Sequence, residues 1–145
     1  MNPGVMTLGR FLLVLFFLID GATKAMDVDG AAAVIAGKGF PQAHLLVALA
    51  IIVEVGGSLL LIFNRFTVPA ALALAAFCFA TGFVFHNFWV EVDAARFASQ
   101  FDQFMKYVAL AGAFLTVAAM PSLETIAVIR HRVGQLERQS PPAGA

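Results

Sequence analysis

Charge is scarce in this 145-residue chain: Asp, Glu, Lys and Arg together make up 12% of it, about half the share found in a soluble domain. Apolar residues make up 61%, and no soluble core of this length could receive them all. The lipid bilayer is therefore the expected solvent and first partner. A single cysteine, Cys78, excludes an intramolecular disulfide, a CxxC redox pair and a multi-cysteine metal site. Nine basic residues against nine acidic ones leave no positive surplus, so nucleic acid is not an expected partner. Histidine is also rare, and no His-x-x-x-His or Glu-x-x-His pair occurs. No metal site is expected.

What the chain has instead is long apolar runs. About 20 such residues in a helix cover the hydrocarbon core, and four segments qualify: Thr7 to Met26, Leu45 to Phe63, Phe66 to Trp89 and Gln103 to Met120. The first carries Arg10 near its start and Asp20 and Lys24 near its end. The second contains Glu54 alone. The third has Pro69 in its first turn, where the missing N–H costs nothing, and ends in His86-Asn87-Phe88-Trp89, a polar and aromatic terminus suited to the interface. Lys106 opens the fourth, and Pro121 closes it.

The fold class that follows is all-α: a membrane-embedded four-helix bundle with a C-terminal amphipathic helix. The four spans occupy residues 1–121. Leu123, Ile126, Ile129, Val133 and Leu136 recur at helical spacing among Arg130, His131, Arg132 and Arg138, which makes 122–139 a cytoplasmic surface helix. A disordered tail, 140–145, contains Pro141-Pro142. The opening resembles a secretion signal, but Asp20 and Lys24 fall where a cleavage region would be small and neutral, so it is expected to remain as the first span. Arg10, Arg65, Arg130, Arg132 and Arg138 gather on the side of the two termini and the short second loop. Both termini are expected in the cytoplasm.

An ionisable residue within a span costs about 2.5 to 3.5 kcal/mol on insertion scales and should face a partner, a cavity or a site. Glu54 lies midway between Leu45 and Phe63 with no ionisable neighbour on its own helix. It must be neutral or paired across helices, as packing glue or as a group that handles protons or faces a ligand. Gly57 and Ser58 follow at i+3 and i+4 and keep that face small. On the first span Arg10, Phe17 and Lys24 repeat at seven, with Gly21 close to the same line, and Asp20 and Lys24 stand four apart in the order that favours an ion pair. His44, His86 and Lys106 belong to the outer ends of their spans. A bundle would gather them with Asp20, Lys24, Asn87 and Gln103 into one outward-facing polar basin over an apolar floor. The expected ligand-binding residues are Lys24, Glu54, His86, Lys106, His44 and Asp20, with Trp89 at the rim. A bis-histidine haem between His44 and His86 has no other haem signature behind it and is not expected. Cys78, mid-span among Phe77, Phe79, Ala80 and Thr81, reads as a buried and inert thiol.

The order of these residues resembles the DoxX family of small four-span membrane proteins. The resemblance rests on Gly9-Arg10 opening the first span with Gly21 and Lys24 closing it, and on Glu54 before Gly56-Gly57. It continues through Arg65 in the short loop, His86 ending the third span, and Gln103 and Lys106 opening the fourth before Ala111-Gly112-Ala113. It covers roughly residues 8 to 121. Asn64 stands where the family pattern would have a glycine, and the tail is longer than usual. The resemblance implies a bacterial inner-membrane bundle linked to membrane oxidoreductase systems: DoxD relatives with quinone-linked thiosulfate oxidation, others with thiol and superoxide defence assemblies. Two functions follow from it. In one, the chain is a subunit of a membrane redox system, its basin binding a quinone or small oxidant while Glu54 or His86 exchanges protons. In the other it is a non-catalytic scaffold or chaperone-like module for a partner, its charges paired with each other across helices. The absence of a complete catalytic constellation favours the second for the isolated chain, so any enzyme would be an oxidoreductase subunit rather than a self-sufficient catalyst. Redox partner proteins and a second copy of the chain are the expected protein partners.

Overall fold

The computed structural model describes residues 3–120 and 123–139, and among them every regular element is helical. Helix α1, Pro3–Met26, runs 24 residues. Asp27 ends it and begins α2, Val28–Gly37: its N–H bonds back to the Thr23 carbonyl, and its carboxylate accepts from Gly30 N at 2.9 Å, an N-cap. The next span is built from α3, Ala43–Ile51, a π-helical turn at Ile52–Gly56, and α4, Gly57–Ile62. Helix α5 covers Thr67–Phe85. A short 3-10 turn, Phe88–Val90, leads to α6, Ala94–Ala119, which Asp93 caps by accepting from Arg96 N at 2.8 Å. Helix α7 spans Leu123–Gln139, the segment whose apolar spacing suggested it. The expected tail at 140–145 and the break at Pro121 lie outside the described residues.

The core explains why these helices associate. Phe17, Phe114, Leu61, Leu74 and Val14 are almost wholly buried, and Ala70, Ala71, Ala75 and Ala111 stand beside them. Small residues let helices approach closely where lipid removes the hydrophobic drive between them. Phe17 and Phe114 meet edge to face at 5.3 Å. Most remaining large apolar side chains, among them Leu8, Leu12, Ile19, Ile52 and Leu72, are exposed. In water that surface would be an aggregation hazard; in lipid it is the solvent-facing side of a membrane protein.

Three helices among the described residues, Gly4–Met26, Ala43–Ile62 and Thr67–Val90, are long and apolar enough to cross a membrane. The fourth expected span needs correction. Its helix begins at Ala94 rather than Gln103, and Arg96, Asp102 and Lys106 dilute its first half. At 26 residues it is about 39 Å long, more than the hydrocarbon requires. The third span also ends earlier than Trp89 as a regular helix, because His86 leaves helical geometry at φ −121°. The first long loop, finally, holds an additional helix, α2, whose Ala32 packs with Ala43 and Val47 of α3.

The bundle has two distinct ends. At one, His86, α2 and the start of α6 come together. Around the Phe88 ring there, Trp89, Phe97, Phe101 and Phe104 lie at centroid distances of 5.2 to 5.5 Å. At the other end Asn64 and Phe66 take left-handed φ values of 53° and 48° to turn α4 into α5. That conformation explains why a glycine would suit position 64 and why asparagine, the side chain that best tolerates it, replaces one.

Candidate functional site

Glu54 sits on the π-helical turn with no exposed surface. Its two oxygens accept from Lys24 Nζ at 2.9 and 3.1 Å, and the same ammonium meets Asp20 Oδ2 at 2.5 Å. The expected pair on α1 and the expected cross-helix partner of Glu54 are thus one cluster. Two carboxylates share one ammonium, so the group is formally −1 when both are ionised, and one added proton makes it neutral. Glu54 is the member with no exposed surface, where a net charge is costly, whereas the Lys24 and Asp20 side chains keep 23% and 34% of theirs exposed.

Local backbone makes this approach possible. Gly21 lies against the π-turn so closely that a Cβ there would come 2.7 Å from Val55 Cγ2 and 3.1 Å from Glu54 Cβ. A π-turn is a local widening of the helix that recurs at functional sites, and here it carries Glu54 toward α1. One turn further on, the Ser58 hydroxyl is buried without a hydrogen-bond partner among the described residues. Cys78 is fully buried, in agreement with the inert reading of its thiol.

Lys24 and Asp20 line a cavity of about 610 Å³ toward the His86 end. Its wall is mostly apolar, from Ile35, Leu46, Leu49, Val53, Phe77 and Phe85, with Thr81, His86 and Tyr107 as further polar contributors. Glu54 stands behind Lys24 rather than on the wall. Beyond His86 and Tyr107 is a second cavity of about 680 Å³, which Phe16, Gln103, Lys106 and Leu110 complete. The two rings separating the cavities stack at 5.2 Å and 26°. His86 Nδ1 also meets Gln100 Oε1 at 3.0 Å, a contact that orients the imidazole and leaves Nε2 unengaged by it.

The single basin expected from sequence is therefore divided. Asp20, Lys24 and Glu54 form one cluster, and His86 borders the same cavity. Lys106 pairs with Asp102 at 2.6 Å, one helical turn away on α6, and lines only the second cavity. His44 contacts Asp29 at 3.1 Å on an exposed surface between α3 and α2 and lines neither cavity. This arrangement gives His44 and His86 no shared ligand space. Trp89 belongs to the aromatic cluster, packed on Phe83 and Phe104. Sequence reasoning overlooked Tyr107, although a lone tyrosine beside Lys106 at the polar end of a span offered a signal.

Comparison with known proteins places these residues in company. The DoxX family profile matches residues 5–87, which include the Lys24–Glu54 cluster and His86. The inner membrane protein YphA of Escherichia coli K12 is 30% identical over 117 residues, covering 81% of this chain and 83% of that one. Inner membrane protein YqjF of the same organism is 31% identical over 110 residues, covering 75% and 78%. No solved structure matches.

Proposed function

This chain is an integral inner-membrane protein of the DoxX family, and from that premise we propose that it binds a quinone-like molecule as a subunit of a membrane redox system. The observation that carries this reading is the position of Lys24: an ammonium braced by a buried Glu54 and by Asp20 at one side of an apolar cavity of about 610 Å³. That volume falls in the usual range for small-molecule sites, apolar walls with a few placed polar groups. A ring bearing carbonyl or hydroxyl oxygens and an apolar tail has matching chemistry. Lys24 Nζ–H, the Tyr107 hydroxyl and His86 are the donors that would hold its head group, while Phe77, Leu46 and Ile35 would face the tail. Bound there, a quinone would supply electron-accepting chemistry. The protein's part is to hold and release a proton: the Asp20–Lys24–Glu54 cluster gains neutrality on taking one up, and His86, which lines the same cavity, is a second carrier. The same reading puts four spans in the bilayer, both termini in the cytoplasm, and the His86 end on the outer side.

The experiment is direct binding of a short-chain ubiquinone analogue to purified protein in lipid nanodiscs, together with organic extraction of co-purifying quinone. Loss of a charge-assisted donor is worth about 1.5 to 3 kcal/mol, so Lys24→Ala should weaken binding at least about tenfold, and Tyr107→Phe less. Unchanged affinity in Lys24→Ala, with no quinone extracted from the wild-type protein, would replace this reading with the scaffold one. One observation favours that second reading: Lys24 is already satisfied by two carboxylates and needs no ligand to be stable where it is.

A further inference from the structure

At the opposite end of the bundle, Arg10 of α1 is 5% exposed, yet only part of its guanidinium is engaged. Nη1 donates to Asn64 Oδ1 at 2.6 Å. Nε and Nη2 are buried and have no hydrogen-bond partner among the described residues. Those two nitrogens form one edge of the planar group, with parallel N–H donors that match two oxygens of an oxyanion side-on. Buried polar groups in proteins are nearly always paired, and a permanently charged one is the costliest to leave otherwise.

Depth and charge narrow the class of acceptor. Side chains on a helix lean toward its N-terminus, and Arg10 leans to the level of the turn between α4 and α5, where Asn64 sits beyond the last residue of α4. Its head group therefore lies at interface depth although its Cα is within the span. Arg65, exposed in the same turn, adds a second cation. Within residues 3–120 every acid lies toward the His86 end or at the depth of Glu54, so no carboxylate of α1 to α6 can neutralise this end. Thr67 also donates to Asn64 Oδ1, at 3.3 Å. Asn64 thus ties Arg10 and Thr67 to the left-handed turn, and the uncommitted Nε–Nη2 edge is covered in this structure, so an oxyanion reaches it by displacing the side chains that lie over it.

We propose that this edge of Arg10 binds a phosphate oxyanion, supplied by the head group of a phospholipid in the adjoining leaflet. The site is independent of the cavity at the His86 end and does not depend on any redox role. Its test uses the full chain carrying 15N-labelled arginine in phosphatidylglycerol bilayers, with 31P–15N dipolar dephasing as the readout. The Arg10 signal is identified by its loss in Arg10→Lys, or by the shift of its Nη1 in Asn64→Ala should the lysine variant fail to fold. Dephasing at the Arg10 Nε and Nη2 signals supports the site. Its absence means that water satisfies the edge, and overturns the proposal. In galactolipid bilayers, which lack phosphate, the signal should stay undephased even with millimolar inorganic phosphate. Dephasing by inorganic phosphate but not by phosphatidylglycerol would overturn the lipid source. Native mass spectrometry gives the second measure: the wild type should retain a phosphatidylglycerol whose occupancy falls about tenfold in Arg10→Lys, which keeps the charge and loses the two-donor edge. Equal retention in both would overturn the site.

Discussion

At position 21 a hydrogen atom stands where any other residue would place a carbon. A Cβ there would collide with Val55 Cγ2 at 2.7 Å, and a β-branched side chain has little freedom to move aside. Alanine is the better helix former by about 1 kcal/mol, whereas overpacking costs about 1 to 3 kcal/mol. Gly21→Ala should therefore lower the thermal unfolding midpoint in detergent. Adding Val55→Ala should recover part of the loss, because the closest collision disappears while the tight approach to Glu54 Cβ remains. A Gly21→Ala protein as stable as wild type would show that the helices do not pack this closely. Residues of this kind differ in how visible they are in sequence. Asp20, Lys24 and Glu54 were legible because an ionisable group in an apolar run has no water to solvate it and must find a partner. Tyr107 was not, since an aromatic ring with a polar tip is ordinary near an interface. Lys106 was misplaced because a count along the helix gives its depth but not its direction, and Asp102 four residues earlier was a partner already in reach.

Among the elements, the long helices were readable from apolar run length, which depends only on bilayer thickness. The π-turn was not, for nothing in the spacing of Ile52-Val53-Glu54-Val55-Gly56 separates it from an ordinary α-helical turn, and only the fold shows that it lies against Gly21. Helix α2 did leave a trace, an Asp27 cap three residues before Gly30, but at 10 residues it is too short to span and was subsumed in a loop. Helix α6 is the element whose relation to the membrane is best settled by chemistry. If only its later part crosses lipid, a cysteine introduced at Ala98 should react with a water-soluble maleimide in intact membranes, whereas one at Leu115 should not. The difference should be about tenfold or more, since thiol labelling needs water and ionisation. Native Cys78, fully buried, supplies the unreactive background. Equal labelling at 98 and 115 would mean that α6 lies along the surface and the bundle has three spans.

For the molecule as a whole, lipid as solvent decided most of what sequence could reveal. Composition alone excluded a soluble fold, and it left open only how polar groups would distribute between the two ends. They distribute unequally. Within residues 3–120 the acids cluster around the His86 end together with Lys24, Lys38, Arg96 and Lys106, whereas Arg10 and Arg65 stand alone at the other. The ring cluster at the His86 end has a further consequence. The chain contains one tryptophan, Trp89, half exposed and in contact with Phe83, Phe88 and Phe104. All indole emission from this protein thus originates at a single depth, in the aromatic cluster at the His86 end. Phospholipids brominated near the top of the acyl chain should quench it more than those brominated near the methyl end. A blue shift on ligand addition would report drier surroundings for this ring without any added label. Trp89→Phe, conserving the ring contacts, should abolish the signal and leave ligand affinity intact, so the protein carries its own optical depth gauge.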